Sequence, residues 1–402
     1  MGVCLSCGKL SRLVSSSVGA CYACLVSRPG EALSAAARSR ERWRESAGLP
    51  PTPPRNRGGP RCAVCVNECS VPEGGLGFCG VWAKRGGALE PRAGRGALIA
   101  YMYLDPLPTN CVATPVCPAA TSRGYPIYTK TRGAERGRFN LAVFLGGCNL
   151  DCFFCQNIDH KRAVSIKPSS RVCREMRVEE LIEESSSDKI TCVCFFGGDP
   201  TPHVPILLRY CAEVSRLAKE SGAVKRICWE TNGLMAPNLM RVAARFSLES
   251  GGIVKIDWKA WTPSVYEALT GVDGERALER LRENARLVAE MAASRPEPPL
   301  LVISVLLVPG YVGPREVGAI ASFAASLPAK IPMVLLAFYP QHLMWDLPTT
   351  SEDHVEKAVE AAKRAGVEEV YVGNAWLVRP GYLVEEFEPP AQPSLSTTRA
   401  AQ

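Results

Sequence analysis

From residue 141 onward, short apolar runs alternate with longer stretches in which apolar residues recur every three to four positions. The runs fall at 141–145, 190–196, 225–229, 253–257, 301–308, 333–338 and 369–372, each the length of one buried strand. The stretches 178–185, 206–220, 237–246, 274–292, 313–325 and 352–365 carry the helical period. Regular strand–helix alternation predicts a parallel sheet with helices outside it. Six or seven such repeats suit a barrel of the α/β class, here a partial (β/α)6-type TIM barrel over 141–387. In a barrel the chemistry sits at the C-terminal ends of the strands.

Before residue 141 the periodicity gives way to cysteine, glycine and proline. Segment 1–30 holds Cys4-x2-Cys7 and Cys21-x2-Cys24, which predict a small ribbon closing four thiolates around zinc. Four protein ligands leave no open position, so the ribbon is expected to be structural or to serve docking. Segment 31–60 reads as a basic helix followed by a proline-rich linker. Arg38, Arg40, Arg42 and Arg44 on that helix suggest a solvated face, or else contact with nucleic acid. Segment 61–140 carries Cys62, Cys65, Cys69 and Cys79, a second metal site for zinc or an auxiliary iron–sulfur cluster, since sulfur suits both. Cys111 and Cys117 read equally as further ligands or as plain loop cysteines. The tail 388–402 has the composition of a disordered segment.

Composition narrows the class. With 402 residues and 47% hydrophobic content the chain can bury a large core, and a net charge of +7 is modest for that length. Eighteen cysteines, no apolar signal core at the start and no run of about 20 apolar residues point to a metal-loaded cytoplasmic protein with no membrane partner.

The loop after the first run changes the picture most. It reads Gly146-Gly147-Cys148-Asn149-Leu150-Asp151-Cys152-Phe153-Phe154-Cys155. Three thiolates spaced Cys-x3-Cys-x2-Cys can hold three corners of a [4Fe–4S] cluster. The next cysteine is Cys173, so the fourth iron is left open. The second run ends in Gly197-Gly198-Asp199-Pro200, where paired glycines let the backbone approach a ligand closely. The third run leads into Glu230-Thr231-Asn232-Gly233, and the fourth into Asp257-Trp258-Lys259, with Asp257 and Lys259 on one side of the strand. His342 follows the sixth run and reads as an ordinary loop residue. Cys173, Cys192, Cys194, Cys211 and Cys228 lack ligand spacing and read as core.

On these motifs, with Asp105-Pro106, Val308-Pro309-Gly310 and Tyr371-Val372-Gly373-Asn374, the chain from about Cys62 to Asn374 resembles radical S-adenosylmethionine (radical SAM) enzymes. The branch it resembles is that of the pyruvate formate-lyase activating enzymes, close to the enzymes of the AmmeMemoRadiSam system. The resemblance implies that Cys148, Cys152 and Cys155 hold the cluster and that the open iron binds S-adenosylmethionine. It implies binding of that molecule by Gly197, Gly198, Asp199, Pro200, Thr231, Asn232, Asp257 and Lys259. Asp199 departs from the glutamate usual at its position. A reductant such as ferredoxin or flavodoxin is implied, with a protein or peptide among the candidate substrates; nucleic acid is not an expected partner. The alternative reading is a zinc-stabilised module that binds protein or nucleic acid without radical chemistry.

Overall fold

The computed structural model describes residues 1–109, 111–165 and 173–388; the expected disordered tail lies outside them from residue 389. One sheet organises the chain. Its strands are β1 (Ala97–Pro106), β2 (Phe139–Leu145), β3 (Arg174–Arg177), β4 (Ile190–Gly197), β5 (Arg226–Thr231), β6 (Val254–Asp257), β7 (Leu301–Leu307), β8 (Met333–Ala337) and β9 (Val370–Gly373). The spatial order is β9-β8-β7-β6-β5-β4-β2-β1-β3. Strands β2 and β4 to β9 run parallel, while β1 pairs antiparallel with both β2 and β3. The parallel part is the partial barrel that the alternation predicts, with each apolar run forming one strand. The sheet also reaches further back than residue 141. Ala97–Pro106, counted above with the cysteine-rich segment, is a full member of it.

Period-two alternation separates the two faces. Leu141, Val143, Leu145, Val193, Phe195, Ile227, Trp229, Val254 and Ile256 are buried under the helices. The opposite face presents Cys192, Cys194, Cys228, Ile253, Val302 and Val334, and residues of the stretch 107–119 plug it at one end. Cys111 and Cys117 belong to that plug. Below it, Arg226 pairs with Glu135 at 2.5 Å, and Thr129 and Thr191 each donate to the same carboxylate at 2.6 Å. The covering helices begin and end on local signals. Helix Pro237–Ser250 opens on proline and stops at Gly251, whose φ of +79° suits glycine best. Helix Gly274–Ala292 is capped by the Asp273 carboxylate, which accepts from the Arg276 amide.

The N-terminal helix Pro29–Ser46 corrects one expectation. Arg40 and Arg44 are buried, at 4% and 2% exposure, and so form neither a solvated face nor a nucleic-acid surface. The period of four puts them on the side of the helix that packs against the sheet's loops, while Arg38 and Arg42 stay outside. Among the described residues no helix is long and apolar enough to cross a membrane.

All four histidines of the chain are held below their ordinary pKa of about 6.5, burial being the first cause in each. His203 (its Nε2 2.8 Å from the Gly146 carbonyl) and His354 (its Nε2 2.9 Å from the Val312 carbonyl) are each lowered to about 4. Below pH 6.5 the unfolded chain takes up protons that the native chain refuses until about pH 4. Stability is therefore full above 6.5 and falls as pH drops toward 4. Between pH 6.5 and 5 each of these two histidines should cost roughly 2 kcal/mol. Urea unfolding at pH 7 and pH 5 checks this, and His354→Gln should flatten part of the slope.

Candidate active site

The loop after β2 is pressed against the loop after β4. A side chain at Gly198 would meet the Gly147 carbonyl at 1.9 Å, and one at Gly147 would meet the Cys79 carbonyl at 2.7 Å. The Gly198 amide donates to Leu145 at 2.9 Å and the Asp199 amide to Gly147 at 3.2 Å. The paired glycines thus serve loop-on-loop packing as well as any ligand. Gly147 (φ +84°) and Gly197 (φ +106°) also hold backbone angles that a side chain disfavours.

These two loops wall a cavity of about 180 Å³ at the C-terminal ends of the strands. Cys148, Cys152 and Cys155 line it together. So do Gly197, Gly198, Asp199, Thr231, Asn232, Asp257 and Lys259. Pro200 is the one expected binding residue that lies outside the lining. His342 also lies outside it, edge-on to Trp43 at 5.0 Å and 3.5 Å from Lys161. Burial raises all three thiols, Cys152 up to about 12, so metal binding here displaces protons.

Asp199 faces the protein. Its carboxylate accepts from the Asn232 amide at 2.7 Å, the Thr201 amide at 2.8 Å and the Thr231 hydroxyl at 3.2 Å. Burial raises this carboxyl, and those hydrogen bonds hold back part of the rise. Asp199 therefore fixes the Thr231–Asn232 turn. From that turn Asn232 donates to the Asn149 side chain at 2.7 Å and sits 3.8 Å from the Cys148 sulfur. Asp257 and Lys259 form an ion pair on the same side of the strand end, as alternation requires.

The cysteine loop is held from behind by Asp151. Its carboxylate lies in ion pairs with Lys161, with Arg44 at 3.5 Å and with Arg40 at 3.9 Å. Burial alone would raise Asp151, but Lys161, Arg44 and Arg40 outweigh it and hold the carboxyl at about 2. Arg40 also donates to the Asp151 carbonyl at 3.2 Å and lies over the Phe153 ring.

His160 is a lining group that the motif reading leaves out. His160 places Nε2 3.3 Å from the Cys155 sulfur. Glu230 lines the cavity and pairs with Lys255 at 3.4 Å, whose ammonium also lies 3.1 Å from Cys111 and 3.0 Å from Cys194. Asn374 closes the far side. The signal for the strand residues is period-two alternation, which sets Cys194, Glu230, Lys255 and Asp257 on one face.

The chain assembles two further cysteine groups. Cys4, Cys7, Cys21 and Cys24 bring their sulfurs within 4.8 Å of one another, a spacing suited to one tetrahedral ion. Cys62, Cys65, Cys69 and Cys79 surround a separate, smaller cavity.

Residues 143–291 match the family model described as the radical SAM superfamily. A curated relative is an uncharacterized protein of Methanocaldococcus jannaschii, 22% identical over 316 residues, which cover 78% of this chain and 81% of that protein. A probable GTP 3′,8-cyclase of Thermococcus kodakarensis is 29% identical over 143 residues, covering 35% of this chain and 42% of the relative. Among solved structures, a domain of pyruvate-formate lyase-activating enzyme from Bacteroides vulgatus is 22% identical, covers 45% of this chain and 98% of its own, and superposes with a TM-score of 0.35.

Removing the Asp151 charge leaves three cations without their shared partner. Asp151→Asn should lower stability by about 3–5 kcal/mol in urea unfolding at pH 7. Asp199→Ala should cost about 1–3 kcal/mol, because it strips acceptors from two buried amides.

Proposed function

We propose that Cys148, Cys152 and Cys155 hold a [4Fe–4S] cluster in the large cavity and that S-adenosylmethionine binds beside it. The observation that carries this reading is the convergence of three spread thiols and a ring of polar groups on one cavity at the strand ends. When bound, the cluster supplies the one electron that cleaves S-adenosylmethionine and yields a 5′-deoxyadenosyl radical, which removes a hydrogen atom from substrate.

The residues of the chain divide the remaining work. Asp257 receives the ammonium or hydroxyl groups of S-adenosylmethionine, and Lys259 receives its carboxylate. Asn232 and the Gly197–Gly198 backbone orient the molecule. Phe154, Leu306 and Leu336 give the cavity apolar walls that keep water from a reactive intermediate. His160 donates toward the Cys155 sulfur and steadies that ligand. The ribbon at Cys4, Cys7, Cys21 and Cys24 takes a structural zinc ion.

A protein or peptide segment suits the approach to the cavity. Phe196 in the lining meets Tyr103 edge-on at 6.4 Å, and Tyr103 stacks on Tyr101 at 5.7 Å. Tyr101 and Tyr103 are exposed, as is Trp376 two residues beyond Asn374. Such an aromatic approach fits side chains of a polypeptide. The activity is then of the activating-enzyme kind, with a ferredoxin or flavodoxin as reductant.

The protein reconstituted anaerobically with iron and sulfide and reduced with dithionite should give a reduced-cluster electron paramagnetic resonance signal that changes on adding S-adenosylmethionine. 5′-Deoxyadenosine should form, and Cys148→Ala should abolish it. Lys259→Met should weaken S-adenosylmethionine binding about tenfold, or about 1.4 kcal/mol. A signal indifferent to S-adenosylmethionine, or 5′-deoxyadenosine formed by Cys148→Ala, overturns the assignment.

A further inference from the structure

Cys62, Cys65, Cys69 and Cys79 line a cavity of about 20 Å³, more than a single water needs. The rest of its lining offers no histidine and no carboxylate, so the donor set is sulfur alone. What separates the two metals that favour such a set is sulfur spacing. One tetrahedral zinc, with bonds of about 2.3 Å, draws four sulfurs to about 3.8 Å of one another. The ribbon is built that way, with its sulfurs all within 4.8 Å. Among the described residues no other three metal-ligating groups come so close. The Cys62–Cys79 sulfurs are therefore spread around their cavity, as those of Cys148, Cys152 and Cys155 are around theirs. Spread thiols around a shared void suit a centre in which each thiolate binds its own iron.

The geometry points to a second iron–sulfur cluster, of the four-iron kind, held by Cys62, Cys65, Cys69 and Cys79. With four thiolates every iron is capped, so this centre takes no substrate at iron. The chain builds it as part of the same rigid body as the first site. The Val66 amide donates to Leu234 at 3.0 Å and the Ala236 amide to Val64 at 2.9 Å, which docks the cysteine loop on the turn after β5. Asn67 donates to the Asn149 carbonyl at 2.7 Å, next to Cys148. Trp82 donates to the Pro202 carbonyl at 2.9 Å, and both line the cavity. Asn149 also lines it, so one residue's thickness of loop separates the second cavity from Cys148.

The test is a count of iron and acid-labile sulfide after anaerobic reconstitution, in the full chain. The wild-type protein should hold about eight of each, and the Cys148→Ala/Cys152→Ala/Cys155→Ala variant about four of each. Adding Cys65→Ala and Cys79→Ala to that variant should bring both counts to none while the ribbon keeps its own ion. Should the triple variant fail to fold, Mössbauer spectra of the wild-type protein decide instead. Two subspectra are expected, only one of which shifts with S-adenosylmethionine. About four irons in the wild-type protein that are lost in the folded triple variant, or zinc without labile sulfide in that variant, overturns the second cluster. About eight irons with no response to S-adenosylmethionine overturns the reading of the Cys148 site and leaves this one standing.

Discussion

The buried carboxylate of Asp151 is the constraint on which the rest of the site depends. It stands next to Cys152, in a loop that must present three sulfurs at fixed positions, and it is 1% exposed. A lone carboxylate at that depth would protonate or drag the loop to solvent. Three cations prevent this, and they arrive from two different parts of the chain. Lys161 comes from the short helix after the loop, and Arg40 and Arg44 from the helix Pro29–Ser46. The N-terminal segment is thereby tied to the barrel. Arg44 goes on to bind the Phe78 carbonyl at 2.6 Å and to cover the Phe78 ring at 3.7 Å, which fixes the strand of chain beside Cys79. A single acid thus couples the helix, the first cysteine loop and the second.

The same loop meets a second constraint from the opposite side. Gly198 has no room for a side chain because the Gly147 carbonyl occupies the space, and Asp199 is spent on the Thr231–Asn232 turn. An aspartate is short enough to reach back to that turn from its own loop, and its three acceptor contacts leave it committed there. The functional consequence is rigidity. Cys148, Asn149 and Asn232 are bonded into one unit before any ligand arrives, so less ordering remains to be done on binding.

Much of this was legible in the sequence, and the boundary of what was legible is physical. Strands β2 and β4 to β9 announce themselves through local apolar runs, and the three cysteines through a spacing that only nearby residues define. Asp257 and Lys259 could be paired by alternation alone. Strand β1 could not be seen, because it pairs antiparallel across a connection of more than thirty residues and its outer half is exposed. Arg40 and Arg44 were misread for a related reason. A helix of arginines looks solvated until its partner is known, and Asp151 lies more than one hundred residues away. The pairing of Lys255 with Glu230 was hidden differently. A charged residue in a strand is ordinarily placed outside, whereas here they meet each other and two cysteines on the inner face.

The three cysteine groups show how one ligand type is turned to different chemistry by the backbone that carries it. In the ribbon, two tight knuckles bring four sulfurs together, a closed arrangement that favours one ion and leaves it inert. In the second group, four sulfurs are held apart by a loop pinned to the turn after β5, so the space between them is shared and not collapsed. In the third, three sulfurs face a larger cavity lined by both polar and apolar groups. From the second group to the third, the protein gives up one ligand and gains room. Under the proposed assignments the order also follows function: a fully capped centre can brace or carry charge, and only the group one ligand short, at the strand ends of the barrel, has a coordination position to offer to chemistry.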